Sequence, residues 1–165
     1  MKTKKLSWKN LNAGSIIAIP SDERFIIGQV LIPGESFYFC VYSLIITNVE
    51  CIQALPNLDA RIILIGETTD AELYRGVWQL CGCAPISKDI PLPYHVVNTK
   101  DGLFLRDFDR NIVRSATEVD KEIYGYEVSV SPTKFTREAQ EFVKYGLISE
   151  QSTISVLKVT QRSQL

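Results

Sequence analysis

The chain has 165 residues, of which 45% are apolar and 22% charged, with a net charge of −1. A chain this long buries roughly 70% of the surface its unfolded form exposes and needs no disulfide or metal staple, so it is read as one domain over residues 1–165. The near-neutral charge argues against a general phosphate binder, which needs clustered Lys and Arg. No apolar run approaches the roughly 20 residues of a bilayer span.

Residues 1–13 carry Lys2, Lys4, Lys5 and Lys9 without an acid and read as a basic arm. Within them Leu6-Ser7-Trp8-Lys9-Asn10 is too polar for the apolar region of a signal peptide, so the cytoplasm is the expected compartment. Three runs rich in Ile, Val, Phe and Tyr follow at residues 14–20, 24–31 and 37–44, split by Ser21-Asp22-Glu23 and Pro33-Gly34-Glu35-Ser36. These are consecutive antiparallel strands with short turns. Pro20 is expected to end the first. Gly28 inside the second marks a bulge or a close backbone approach. The third is apolar on both faces, with Phe37, Phe39 and Val41 opposite Tyr38, Cys40, Tyr42 and Leu44, so it belongs in the middle of a sheet.

Residues 45–52 can extend as a strand, and Pro56-Asn57 breaks the chain. Residues 61–65 form a short buried strand ended by Gly66. Residues 67–75 predict a short helix capped by Thr68 or Thr69 and closed by Gly76. Residues 77–81 return to strand. Pro85, Pro91 and Pro93 make residues 84–93 a loop. Residues 94–98 and 103–108 pair as a hairpin about Lys100-Asp101-Gly102, and a turn at 108–111 leads into 112–114. Residues 116–128 are weakly patterned and loop-like. Residues 133–145 predict a helix between Pro132 and Gly146, with Phe135, Ala139, Phe142 and Val143 near one face. Residues 154–159 predict a last strand. The fold class is therefore mainly β (a β-rich α+β fold): a curled antiparallel sheet or small open barrel with one or two helices.

Catalytic patterns are sparse. His95 is the only histidine and sits in an apolar strand, where a packed or strand-end role fits best. The cysteines Cys40, Cys51, Cys81 and Cys83 have too few companions for a metal site and read as buried, reduced thiols. If Cys81 and Cys83 lie on a regular strand, both face one side. No nucleophile elbow and no phosphate-cradling glycine motif occurs. The chain is read as a non-enzyme without cofactor or metal.

The pattern Gly14-x-x-x-Ala18-Ile19-Pro20, followed by Phe25-Ile26-Ile27-Gly28-Gln29-Val30, resembles the opening of the immunity protein 26 family. The segment from Gly76 through Trp78 to Gly82, with Pro85 and the Ile90-Pro91-Leu92-Pro93 run, is similar to that family's central tryptophan motif. Ser131-Pro132 leading to Tyr145-Gly146 is similar to its C-terminal part. In two places the chain departs from the pattern: Asp22-Glu23 replaces a common Asp-Gly turn, and Gln29 stands where a basic residue is common. The resemblance implies a β-rich cytoplasmic protein that binds the C-terminal effector domain of a cognate bacterial toxin and occludes its active site or substrate channel. The implied partner is that domain, with no membrane and no nucleic acid bound directly.

A toxin domain such as a nuclease is basic, and an inhibitor can meet it with acids around an apolar centre. Over residues 101–127 seven acids face four bases, a local charge of −3. The candidate toxin contacts there are Asp107, Asp109, Glu118, Asp120 and Glu122, with Tyr124 and Tyr126 as aromatic anchors. A second acidic spot holds Glu67, Asp70 and Glu72. The alternative function is a small-barrel module for nucleic acid or peptide tails using Tyr38, Tyr42, Lys2 and Lys5. An enzyme using His95 or Cys81 is a third.

Overall fold

The computed structural model describes residues 5–49, 60–90, 92–126 and 129–155. They form eight strands in two antiparallel sheets and three α-helices, a mainly β α+β fold with no closed barrel. The chain gathers into two compact units. The first draws on Met1–Ser87 and Ser129–Ser152, the second on Lys88–Val128 and Thr153–Leu165.

The first unit is built on the apolar runs at its start. They become β1 (Ser15–Ser21), β2 (Arg24–Ile32) and β3 (Ser36–Ile46), joined as a meander. Asp22 takes a left-handed conformation in the first turn, φ 53°, which Asp tolerates better than most residues. β4 (Ile62–Thr69) pairs with β3, and β5 (Gln79–Cys83) returns to the far side of β1, giving the order β4-β3-β2-β1-β5. β3 is therefore an interior strand, as its two apolar faces require.

Gly28 fulfils both expectations placed on it. The β2–β3 register shifts between Ile26 and Gly28, and a Cβ there would stand 2.1 Å from the Phe39 ring. Pro20 does not end β1. It pairs with Phe25 beyond the last β1–β5 partner, Ala18↔Gln79, so its missing N–H costs no ladder bond. Gly66 does not end β4 either; it stands opposite Phe39 and the strand continues to Thr69. The helix expected at 67–75 shrinks to α1 (Ala71–Tyr74), whose N-cap is Asp70 and not a threonine.

α3 (Pro132–Tyr145) has Pro132 at its first position and ends at Gly146 in the left-handed region, φ 72°. It buries Phe135 and Ala139 against the sheet, with Phe142 and Val143 half-buried. The Phe39 ring stacks on Trp78 at 5.2 Å and meets Phe135 edge-on at 5.6 Å. Trp78 is core, and its Nε1 donates to Thr136 Oγ1 at 2.8 Å. On return to this unit the chain is fastened to β4: Val130 N donates to Glu67 O, and Thr68 Oγ1 donates to Val130 O.

One polar group lies deep in this unit. Gln29 is fully buried; it accepts from Tyr42 Oη at 2.7 Å and donates to Ala84 O at 2.8 Å. Burial raises the Tyr42 phenol and pushes the Cys40 thiol up to about 12. Cys40 and Cys81 are buried, but Cys83 is exposed. The β1–β5 register shifts between Ile16 and Ile17, opposite Cys81, so this strand is not regular at the pair. Cys51, Pro56-Asn57 and residues 156–159 of the expected last strand lie outside the described residues. Ile154 and Ser155 are described and form no strand element.

The second unit is a three-stranded meander of β6 (His95–Thr99), β7 (Gly102–Arg106) and β8 (Ile112–Ser115), with α2 (Glu118–Tyr124) against it. Its hairpin turns at Lys100-Asp101, as predicted, and His95 opens the first strand. The region expected to be a loop, 116–128, contains α2. No described helix is long and apolar enough to cross a membrane.

Candidate functional site

α2 is too short to persist alone in water, so its surroundings must hold it. Thr117 is the N-cap: its Oγ1 accepts from Asp120 N at 3.3 Å, while Asp120 Oδ2 accepts from Thr117 N at 2.7 Å. This reciprocal arrangement is a capping box. Arg114 on β8 then grips the same carboxylate with both terminal nitrogens, Nη1 to Oδ2 at 2.7 Å and Nη2 to Oδ1 at 2.8 Å. The Arg114 guanidinium, followed by the Thr117 backbone N–H, holds the Asp120 carboxyl far below the usual carboxylate range.

At the other end, Gly125 adopts φ 67° and its carbonyl accepts from Val96 N at 2.8 Å, tying the helix exit to β6. Between these ties Tyr124 is buried with Val96 and Leu105, its ring 6.1 Å from Tyr94.

Asp120 and Tyr124, four apart, thus form the inner face of α2. Val119 and Ile123, also four apart, lie toward solvent, 61% and 48% exposed. Beside them runs a third pair, Glu118 and Glu122, both exposed. Lys121 Nζ bonds Glu118 Oε1 at 2.6 Å, and that carboxylate raises the lysine's pKa. Tyr126, 47% exposed, follows the helix.

The nine candidate contacts therefore separate. Asp109, Glu118, Glu122 and Tyr126 are exposed. Asp107 organises the β7–β8 turn: its carboxylate accepts from Asn111 N at 2.7 Å and Asn111 Nδ2 at 3.1 Å. Asp120 and Tyr124 are corrected to interior roles, because burial and internal partners remove them from the surface. Glu72 is corrected likewise: buried in the first unit, it accepts from Thr133 Oγ1 at 3.0 Å and Arg75 Nη1 at 3.4 Å. Asp70 is half-buried and accepts from Trp8 N at 2.6 Å, pinning the 3-10 turn Trp8–Asn10. The apolar pair Val119 and Ile123 was absent from the expected set.

Two open clefts mark the first unit. One, about 530 Å³, lies along β5 and is lined by Asn10, Asn12, Ser15, Leu80, Cys81 and Cys83. Its polar groups serve the local backbone: Asn10 Oδ1 accepts from Ser7 N and Ser15 Oγ from Asn12 N. The other, about 370 Å³, lies at the end of α3, where Asp22 and Glu141 interleave with Arg137 and Lys144. Among the described residues no three His, Cys, Asp or Glu side chains gather to hold a metal. Tyr42, a suspect for base stacking, is buried with its hydroxyl committed to Gln29, and Lys5 bonds the Tyr74 hydroxyl at 3.3 Å.

No family model, no curated protein and no solved structure matches this chain.

Proposed function

We propose that this protein is an immunity protein of the kind its sequence resembles: it binds the effector domain of a cognate bacterial toxin in the cytoplasm and blocks it by covering its active site or substrate channel. The observation that carries this reading is the uneven placing of exposed apolar side chains. Six of the eleven large exposed apolar residues among those described belong to the second unit: Leu92, Ile112, Val113, Val119, Ile123 and Tyr126. Among its described residues, Val96, Leu105 and Tyr124 form a buried apolar cluster, and Ile90 and Ile154 are buried as well. A small unit that spends so much apolar surface on solvent is built for contact with another protein.

Inhibition by occlusion asks nothing more of the chain than shape, apolar area and charge placement. The test is co-expression of the effector domain encoded beside this protein, with and without it. Cells are expected to survive only with it, and equal killing in both cases refutes the proposal.

A further inference from the structure

We infer that α2 is the element the partner grips, and that the partner offers an apolar groove rimmed by Lys and Arg. This rests on the toxin-binding reading and names the chemistry of its contact. Three observations converge. Val119 and Ile123 stand four residues apart and largely in water, the spacing by which a helix anchors in a groove. Glu118 and Glu122 run parallel to them, so a complementary surface must set cations along one side of its groove. Glu118 keeps 81% of its side chain exposed despite its bond to Lys121, so its charge still faces outward.

The helix is also rigid before any partner arrives. The Arg114–Asp120 clamp, the Thr117 cap and the Val96–Gly125 bond hold both ends. Anchors carried on a pre-ordered element lose little conformational freedom on binding, which is where high affinity originates.

The experiment uses the full chain and the purified effector domain encoded beside it, with affinity read by calorimetry and inhibition by the domain's toxicity. Val119→Asp combined with Ile123→Asp is expected to weaken binding at least about 100-fold. Glu118→Lys combined with Glu122→Lys is expected to weaken binding, most strongly at low salt. Leu147→Ser, which alters the 73%-exposed leucine after α3 in the first unit, is expected to change neither. An unchanged far-ultraviolet spectrum shows that the variants fold.

If the wild-type chain inhibits the domain and both α2 variants inhibit it equally well, the inference is overturned while the immunity reading stands. A chain that is dimeric alone and is split by the Val119/Ile123 variant overturns it too, because the stripe then serves self-association. If the wild-type chain neither binds nor inhibits the domain, the functional reading falls and takes the inference with it.

Discussion

Asp120 shows how much one side chain can be asked to do. Its carboxylate caps α2 from within, receives both arms of Arg114 and lies against a tyrosine core. From the sequence it is one acid among seven and was grouped with the surface. Its charge was legible; its partners were not, because Arg114 lies on a strand and Asp120 on a helix, and only the fold brings them together. The pH consequence follows from the direction of its shift. The folded pKa is depressed, so the stabilisation is complete above the unfolded value of about 3.9 and declines as pH falls below it toward the folded pKa. The Tyr94–Tyr124 environment, followed by near-ultraviolet circular dichroism, is therefore expected to loosen below about pH 4. Asp120→Asn should flatten that acid limb and lower stability at neutral pH; an unchanged limb would place the acid sensitivity elsewhere.

At the level of elements, the opening meander is legible because apolar runs of strand length alternate with turn residues at the right spacing. The failures are equally physical. Gly66 has the form of a terminator, yet it pairs with Phe39 inside the β3–β4 ladder, and the strand runs on to Thr69. α2 was missed because a helix is sought by a periodic apolar face meeting a core, and here two of the apolar residues face water while an aspartate faces inward. The one available signal was Thr117 three residues ahead of Asp120, the spacing of a capping box. Gly28 supplies the sharpest test of the main sheet. Gly28→Ala drives a methyl into the Phe39 ring and is expected to cost about 1–3 kcal/mol in urea unfolding. Phe39→Leu in the same chain removes the ring atoms but leaves the Cys40 carbonyl oxygen 2.9 Å from that methyl, so the two changes together should cost less than their sum without cancelling. Simple additivity would mean that the loss comes from backbone effects.

For the molecule as a whole, length suggests one domain, and it does not reveal where contacts gather within it. The proline-rich stretch after β5 was legible as a loop; that the chain leaves one core there and builds another was not. The first unit joins a five-stranded sheet to α3 through an aromatic cluster of Phe37, Phe39, Trp78 and Phe135. Among the described residues, the second has three strands, one short helix and a buried apolar cluster of Val96, Leu105 and Tyr124. Unequal cores open at unequal free energies. Native-state hydrogen exchange is expected to show the amides of β6 and β7 exchanging at least about ten times faster than those of β2 and β3. Equal protection across both sheets would mean that the chain opens as a single cooperative body.

The clamp between Arg114 and Asp120 carries a kinetic consequence. Under the inferred docking on α2, a seven-residue helix held in part by an ion pair on its inner side can be switched off by residues that never touch the partner. Loosening the clamp leaves Val119 and Ile123 intact, yet only a fraction of molecules would present them in register at any instant. Apparent affinity would fall to that fraction of its full value, and the loss would surface as rarer productive encounters while the lifetime of each complex stayed the same.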